Sequence, residues 1–288
     1  MVVTPSVGEM LRAWRQRRRM SQIDLADQAE IAVKFLGQIE TGRAVASRAL
    51  VLRLAEEMNV PLRDRNALTT AAGYAPMFSE RRLDDPGLGF VGQGLQAILD
   101  AQEPYPAMAT DRHWTLVAAN KALHRLVAGA DPLLLQAPIN ALRLWLHPAG
   151  LAPRIANLRD WREHMTDRLR RRIALTDDIR LSDMLEEIRD YPLPRGAPPA
   201  RPDKVSETAV VPFRLVTIDG TLSFYATTTQ FAAPMDVTVS ELTIETFYPL
   251  DLETATIIRQ MAADAPPRTC AELMAAAPVP ERYGVGAR

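Results

Sequence analysis

The stretch MSQIDLADQAEIAVKFLGQIETG, residues 20–42, holds two short amphipathic segments on either side of a break at Ala29–Ile31. Helices shorter than about 12–15 residues are marginal in water, so neither segment can persist alone. Both must pack into a small bundle, and the flanking sequence supplies its other members. Val7, Met10, Leu11 and Trp14 fall at helical spacing ahead of the run Arg17-Arg18-Arg19. Ser21 reads as an N-cap, with Asp24 three places on to return the bond, and Leu25, Ala26 and Ala29 continue that second helix. A third helix runs from about Val33 to Glu40, burying Leu36 and Ile39, and Gly42 ends it. Two more follow around residues 48–58 and 62–72, the last one started by Val60-Pro61. Residues 1–74 are therefore expected to form an all-α bundle of five short helices.

The pattern changes after residue 74. Residues 75–87 are polar, proline-bearing and aperiodic, which marks a linker. From 88 to 262 the elements are mixed. AMAT and WTLVAA read as short strands, and Asn120 caps a helix through Val127. Ile155, Leu158, Trp161, Met165, Leu169 and Ile173 form a long helical stripe. After the loop ARPDKVSE come the strand runs TAVVPFRLVTI, TLSFYATTTQF and VTVSELTIETFY, the first two joined by an Asp219-Gly220 turn. The order predicts an antiparallel sheet with helices, an α+β unit. The Ala/Pro-rich residues 263–288 are expected to be a flexible tail.

Two helices joined by a three- or four-residue turn form the helix-turn-helix arrangement, whose second helix enters the major groove of DNA. Leu36 and Ile39 would hold that helix to the bundle, leaving Val33, Lys34, Gly37 and Gln38 toward the groove. Lys34 can donate to guanine, Gln38 can pair with adenine, and Val33 can touch a thymine methyl. Gly37 lets the backbone approach closely. Gln22, at the start of the preceding helix, is placed for a phosphate, as are Thr41 and Arg43 just past the groove helix. The charge agrees in sign: residues 1–75 carry eleven Lys+Arg against eight Asp+Glu, whereas residues 201–288 carry seven against eleven.

On these residues the opening unit resembles the Cro/repressor (XRE) helix-turn-helix family, through MSQIDLADQA, VKFLGQIETGR and LRLAEEMNVPLRDRNALTTAAGY. The resemblance implies a structural ion pair between Arg15 and Glu40. It also exposes two departures: Glu30 stands at the turn position where Gly is usual, and Ala32 where Ser or Thr usually caps. A missing N-cap costs about 1 kcal/mol.

Several motifs in the rest of the chain carry no matching chemistry. GLGFVG, residues 87–92, fits a dinucleotide fingerprint by letter, but SERRLDDP ahead of it is not a strand. His113, His124, His147 and His164 share no metal-ligand spacing, and the single Cys270 excludes a cysteine cluster or an internal disulfide. No nucleophile elbow or phosphate loop is present, so no catalytic, metal or cofactor site is expected. RLRRR, residues 168–172, reads as the solvated face of the long helix.

Residues 88–262 resemble the MmyB-like ligand-binding domain, through EPYPAMATDRHWTLVAANKAL, NALRLWLHPAGLAPRIANLRDWREHM and GTLSFYATTTQFAAPMDVTVSELTIETFYPLD. That resemblance implies a PAS-like shell around an apolar cavity with a fatty-acid-like ligand. The residues themselves place Trp114, Leu116, Phe213, Leu215 and Phe224 on strand faces, with Trp161 on the helix and Asn120 nearby. Such a face either packs a helix or lines a pocket, and both readings stay open. The expectation is a cytoplasmic, homodimeric transcription regulator that binds a pseudo-palindromic duplex and senses a small apolar ligand. A constitutive regulator whose second unit only dimerises or recruits a partner is the alternative. No stretch approaches the roughly 20 apolar residues of a membrane helix.

Overall fold

The computed structural model describes residues 5–193 and 210–263. The chain divides into two compact units with separate cores. One comprises the chain up to Gly89 together with Phe231–Glu241; the other comprises Phe90–Gln230 and the chain from Leu242 on.

The first unit opens with α1 (Val7–Arg17), α2 (Gln22–Gln28), α3 (Val33–Glu40), α4 (Arg48–Glu57) and α5 (Leu62–Ala71). These are the five helices the sequence predicts. Local chemistry sets their starts. Ser6 and Glu9 form a capping box on α1, Ser21 and Asp24 another on α2, and the Ser47 hydroxyl accepts from the Leu50 amide. Ala32 gives α3 no side-chain cap. Leu11, Trp14, Leu25, Leu36, Ile39, Leu54, Met58 and Leu68 fill the core. Arg17 and Arg18 place their guanidinium carbons 4.9 and 5.2 Å from the centre of the Trp14 ring, and Arg18 also donates to the Met58 carbonyl that ends α4. The arginine run is thus partly absorbed by packing. At Gly8 the backbones of α1 and α3 nearly touch: an added Cβ would lie 2.2 Å from the Ile39 carbonyl oxygen and 2.9 Å from that of Glu40.

Past the bundle the chain makes a 3-10 turn, Pro86–Leu88, still in the first unit, and runs into α6 (Gly89–Asp100), where the second unit begins. Then come β1 (Ala107–Thr110), β2 (Leu116–Ala119), α7 (Lys121–Val127), α8 (Ala141–Leu146), α9 (Leu158–Thr176) and α10 (Ile179–Asp190). The described residues end with β3 (Phe213–Thr217), β4 (Gly220–Thr229), the one-turn α11 (Val237–Ser240), β5 (Thr243–Pro249) and α12 (Leu252–Ala263). The strands make one antiparallel sheet in the order β2-β1-β5-β4-β3, the PAS-like α+β arrangement expected. β3 and β4 are the expected hairpin, with Gly220 at φ +135° in the turn.

Three local expectations are corrected. VTVSELTIETFY is not one strand: the Asp236 carboxylate accepts from the Thr238 amide and starts α11, so β5 begins only at Thr243. In the run TAVVPFRLVTI the described strand is Phe213–Thr217, because Pro212 has no N–H to offer a ladder. Ile155 precedes α9 and bridges to Leu215 instead of heading the helical stripe. The loop ARPDKVSE, residues Thr208 and Ala209, the tail from 264 and Cys270 lie outside the described residues.

The first unit also takes in part of the β4–β5 connection, which the expected boundaries assigned to the second domain. Within that unit α11 packs on α5, Glu241 forms a bidentate ion pair with Arg63 (2.7 and 2.9 Å), and Arg63 pairs also with Glu80. The Val237 amide donates to the Ser79 carbonyl, and the Thr238 hydroxyl to that of Arg81. Val237 and Val239 are buried there.

Candidate functional site

The amphipathicity of α3 sorts its residues onto two faces. Leu36 and Ile39 are buried in the bundle, Val33 and Lys34 at the helix start are exposed, and Gly37 and Gln38 are half-exposed. The four residues expected toward the groove are therefore all at least partly accessible. Arg43 is exposed beyond the helix end, after Gly42 turns the chain at φ +71°.

Behind this face lies a buried network. Arg15 donates to both oxygens of Glu40, at 2.7 and 2.9 Å, and to the Met20 carbonyl at 2.9 Å. The Gln22 carboxamide donates to Glu40 at 2.8 Å and lies across Gly37, whose added Cβ would stand 3.7 Å from the Gln22 oxygen. Burial pushes the Glu40 carboxyl up, but the hydrogen bonds from Arg15 and Gln22, with the charges of Arg15 and Arg12, outweigh it and hold the group below the ordinary range. The bond to Glu40 correspondingly raises Arg15. The network ties α1, α2 and the end of α3 together, so it fixes the presentation of the exposed face.

Two of the phosphate assignments change on this geometry. Gln22 has one amide N–H committed to Glu40 and keeps only the other for a phosphate. The Thr41 hydroxyl donates to the Gly37 carbonyl at 2.8 Å, which closes the helix and removes the donor a phosphate would need.

The residues expected to line a pocket, Asn120 apart, sit in or against the core of the sheet unit, Trp114 among them. Trp161, Phe213, Leu215 and Phe224 are no more than 2 % exposed and belong to the central core of the sheet unit. The Trp161 and Phe213 ring centroids stand 4.9 Å apart and those of Phe213 and Phe224 6.2 Å apart. Leu116 packs at the edge of that core. Trp114, at φ +60°, also lines a cleft of about 80 Å³ with Arg112, Arg168 and Arg172. Asn120 is a structural residue: its oxygen accepts from the Leu123 and Ala107 amides, and its nitrogen donates to the Leu99 and Tyr105 carbonyls. All four of its hydrogen-bonding positions are used, which leaves nothing for a ligand.

Sequence reasoning missed Trp145 and Phe247, which complete the aromatic core. Trp145 lies 5.3 Å from Phe213 and 5.5 Å from Phe247 between ring centres. The signals were an apolar face in ALRLWL on α8 and strand alternation in TIETFYP. Within this core the indole N–H groups of Trp145 and Trp161 are buried without hydrogen-bond partners. Buried donors of this kind are rarely left unpaired.

Among the described residues no cluster of His, Cys, Asp or Glu could hold a metal ion. Burial holds His124 and His164 below the ordinary histidine range, with nearby arginine charge as the second cause. GLGFVG forms the 3-10 turn and the start of α6, with no strand delivering the chain into it, so a dinucleotide cradle is absent at this segment. The RLRRR run is not uniformly solvated, since Arg168 pairs with Glu245, which is buried.

Residues 91–261 match the family described as the MmyB-like transcription regulator ligand binding domain, and residues 6–68 match a helix-turn-helix domain family. Both are families of binding domains, one for DNA and one for a ligand, rather than of enzymes. No curated protein matches the chain. Among solved structures, an RNA-binding Light-Oxygen-Voltage receptor aligns at 13% identity with a TM-score of 0.27, covering 89% of this chain and 64% of that one. At that score the likeness carries no argument. No helix of the described residues is long and apolar enough to cross a membrane.

Proposed function

The chain belongs to the MmyB-like transcription regulators, and on that premise we propose that its DNA affinity is set by a small, mostly apolar ligand held in the sheet unit. In this reading α3 reads base edges in the major groove of duplex DNA through Val33, Lys34 and Gln38, with the Gly37 backbone close to the bases and Arg43 on a phosphate. The chain acts as a homodimer on a pseudo-palindromic operator, whose half-sites one helical turn apart demand recognition helices about 34–36 Å apart.

The observation that carries the ligand is the pair of orphaned indoles. Trp145 and Trp161 flank Phe213 in a core otherwise made of apolar side chains, and each leaves a donor unpaired. A ligand with an apolar body and one acceptor group, as in a fatty-acid carboxylate, would bury its body among these rings and accept from the indoles. The excursion of the chain supports the coupling. After β4 it enters the first unit as residues 231–241, held by Arg63, and returns as β5. A ligand that favours one packing of the sheet core would thereby bias α5 and the bundle behind α3.

Native mass spectrometry of the purified protein, followed by identification of whatever denaturation releases, tests this reading. A discrete released molecule that is lost in Trp145→Phe and Trp161→Phe, with the fold retained, is the expected result. A bare mass in the wild type, with lipid-like and fatty-acid additives giving no retained adduct, would move the sheet unit to dimerisation or partner recruitment alone.

A further inference from the structure

A cleft of about 300 Å³ opens between α9 and the end of α10, lined by Arg159, Arg162 and Arg170 from α9 and by Arg189 from α10. Thr166 lies on the same stripe of α9, so residues 159, 162, 166 and 170 follow the three- and four-residue spacing that puts side chains on one helix face. That face is separate from the one carrying Trp161, Met165 and Leu169 into the aromatic core. Charge in the cleft is not balanced. Arg170 has Asp167 as a partner at 2.6 Å, and Arg162 donates to the Tyr191 carbonyl at 2.8 Å. The Arg159 Nε is buried with no hydrogen-bond partner. Glu163 is the one carboxylate among the lining residues. Burial, and then the charge of Arg159, lower the Arg162 guanidinium from its ordinary value, so these two cations stand close enough to oppose each other.

Neighbouring guanidiniums that are partly withdrawn from water and short of counter-charge lack an anion, and their planar forks match phosphate oxygens two at a time. Half-buried Leu193 gives the cleft an apolar surface, and its volume reaches the lower end of small-molecule sites, about 300 Å³. We propose that this cleft binds an organic phosphate, its phosphate held by Arg159, Arg162 and Arg189 and its less polar part against Leu193. The site is independent of the apolar ligand of the sheet core, and neither proposal requires the other.

Isothermal titration of the full chain with ADP as the probe tests this, using the wild type, Arg159→Gln, Arg189→Gln and Arg171→Gln. Arg171 is exposed on the same helix outside the cleft and serves as the charge control. One site is expected, weakened at least ten-fold in Arg159→Gln and Arg189→Gln and unchanged in Arg171→Gln. Without ADP, Arg159→Gln should melt no lower than the wild type, because a cation that opposes its neighbour has been removed. The proposal is overturned by no saturable heat, by equal weakening in Arg171→Gln, or by an Arg159→Gln that melts lower or does not fold. A fall in duplex-DNA affinity in Arg189→Gln with no change toward ADP would also overturn it, assigning the cleft to nucleic acid.

Discussion

Glu30 occupies the turn between α2 and α3 at φ +51°, in the left-handed region that suits glycine. Ala32, two residues on, begins α3 without a cap although its backbone already has the extended N-cap conformation. Both departures from the family pattern therefore act as local strain without changing the path of the chain. Glu30→Gly and Ala32→Ser should each raise stability by about 1 kcal/mol in denaturant unfolding, the first by relieving the left-handed residue and the second by supplying a hydroxyl to the α3 amides. Gly8 is the opposite case. Gly8→Ala would set a methyl group against two carbonyl oxygens of α3, which cannot yield as a flexible side chain would. A loss of about 3 kcal/mol or more is expected in the same measurement. The position also adjoins Glu40, so the variant should weaken DNA binding even where it folds.

At the scale of elements, burial of two histidines gives the sheet unit a pH dependence. His124 on α7 and His164 on α9 are held below their ordinary value chiefly by burial, aided at His124 by Arg125 and at His164 by Arg168 and Arg171, while Glu103 and Asp167 oppose the shift. The unfolded chain then binds more protons than the folded one from about pH 6.5 downward. Thermal stability should be full above that pH and fall as pH drops toward 5, and His124→Leu should shrink the fall. The Glu40 carboxyl is also depressed, but its loss lies lower: its contribution is present above its unfolded value of about 4.3 and disappears as pH falls through the folded one. Much of the element pattern was legible because it is local. Ser21 with Asp24, Asn120 as a cap and Asp219-Gly220 as a turn are short-range signals, and each stands where the sequence put it. Asp236, which starts α11 inside an apparent strand, is as local but was outweighed by the β-branched run VTVSELTI. What stayed hidden was long-range: the partnership of Arg63 with Glu241, and the filling of the aromatic core by Trp145 and Phe247, depend on contacts that no spacing encodes. The same holds for the candidate site, where the faces of α3 were readable but the inward bond of the Thr41 hydroxyl was not.

For the whole molecule, a discontinuous first unit gives the β4–β5 connection two roles, as a link in the sheet and as a packed part of the DNA-binding bundle. Glu241→Ala removes its bidentate bond to Arg63 while Glu80 remains as a partner. It should leave basal DNA affinity and ligand retention intact but reduce the change in DNA affinity that ligand produces, as read by fluorescence anisotropy with and without the released molecule. All of this rests on α3 reading DNA. The most direct test is to select duplexes from a random pool with the wild-type protein and measure the affinity of Lys34→Ala/Gln38→Ala for the selected sequence. Each lost base contact should cost about 1–3 kcal/mol, so the double variant should bind at least ten-fold more weakly there, with a smaller loss on unselected duplex from the removed charge. Equal affinity of variant and wild type for the selected duplex would contradict the assignment of α3 as the reading helix.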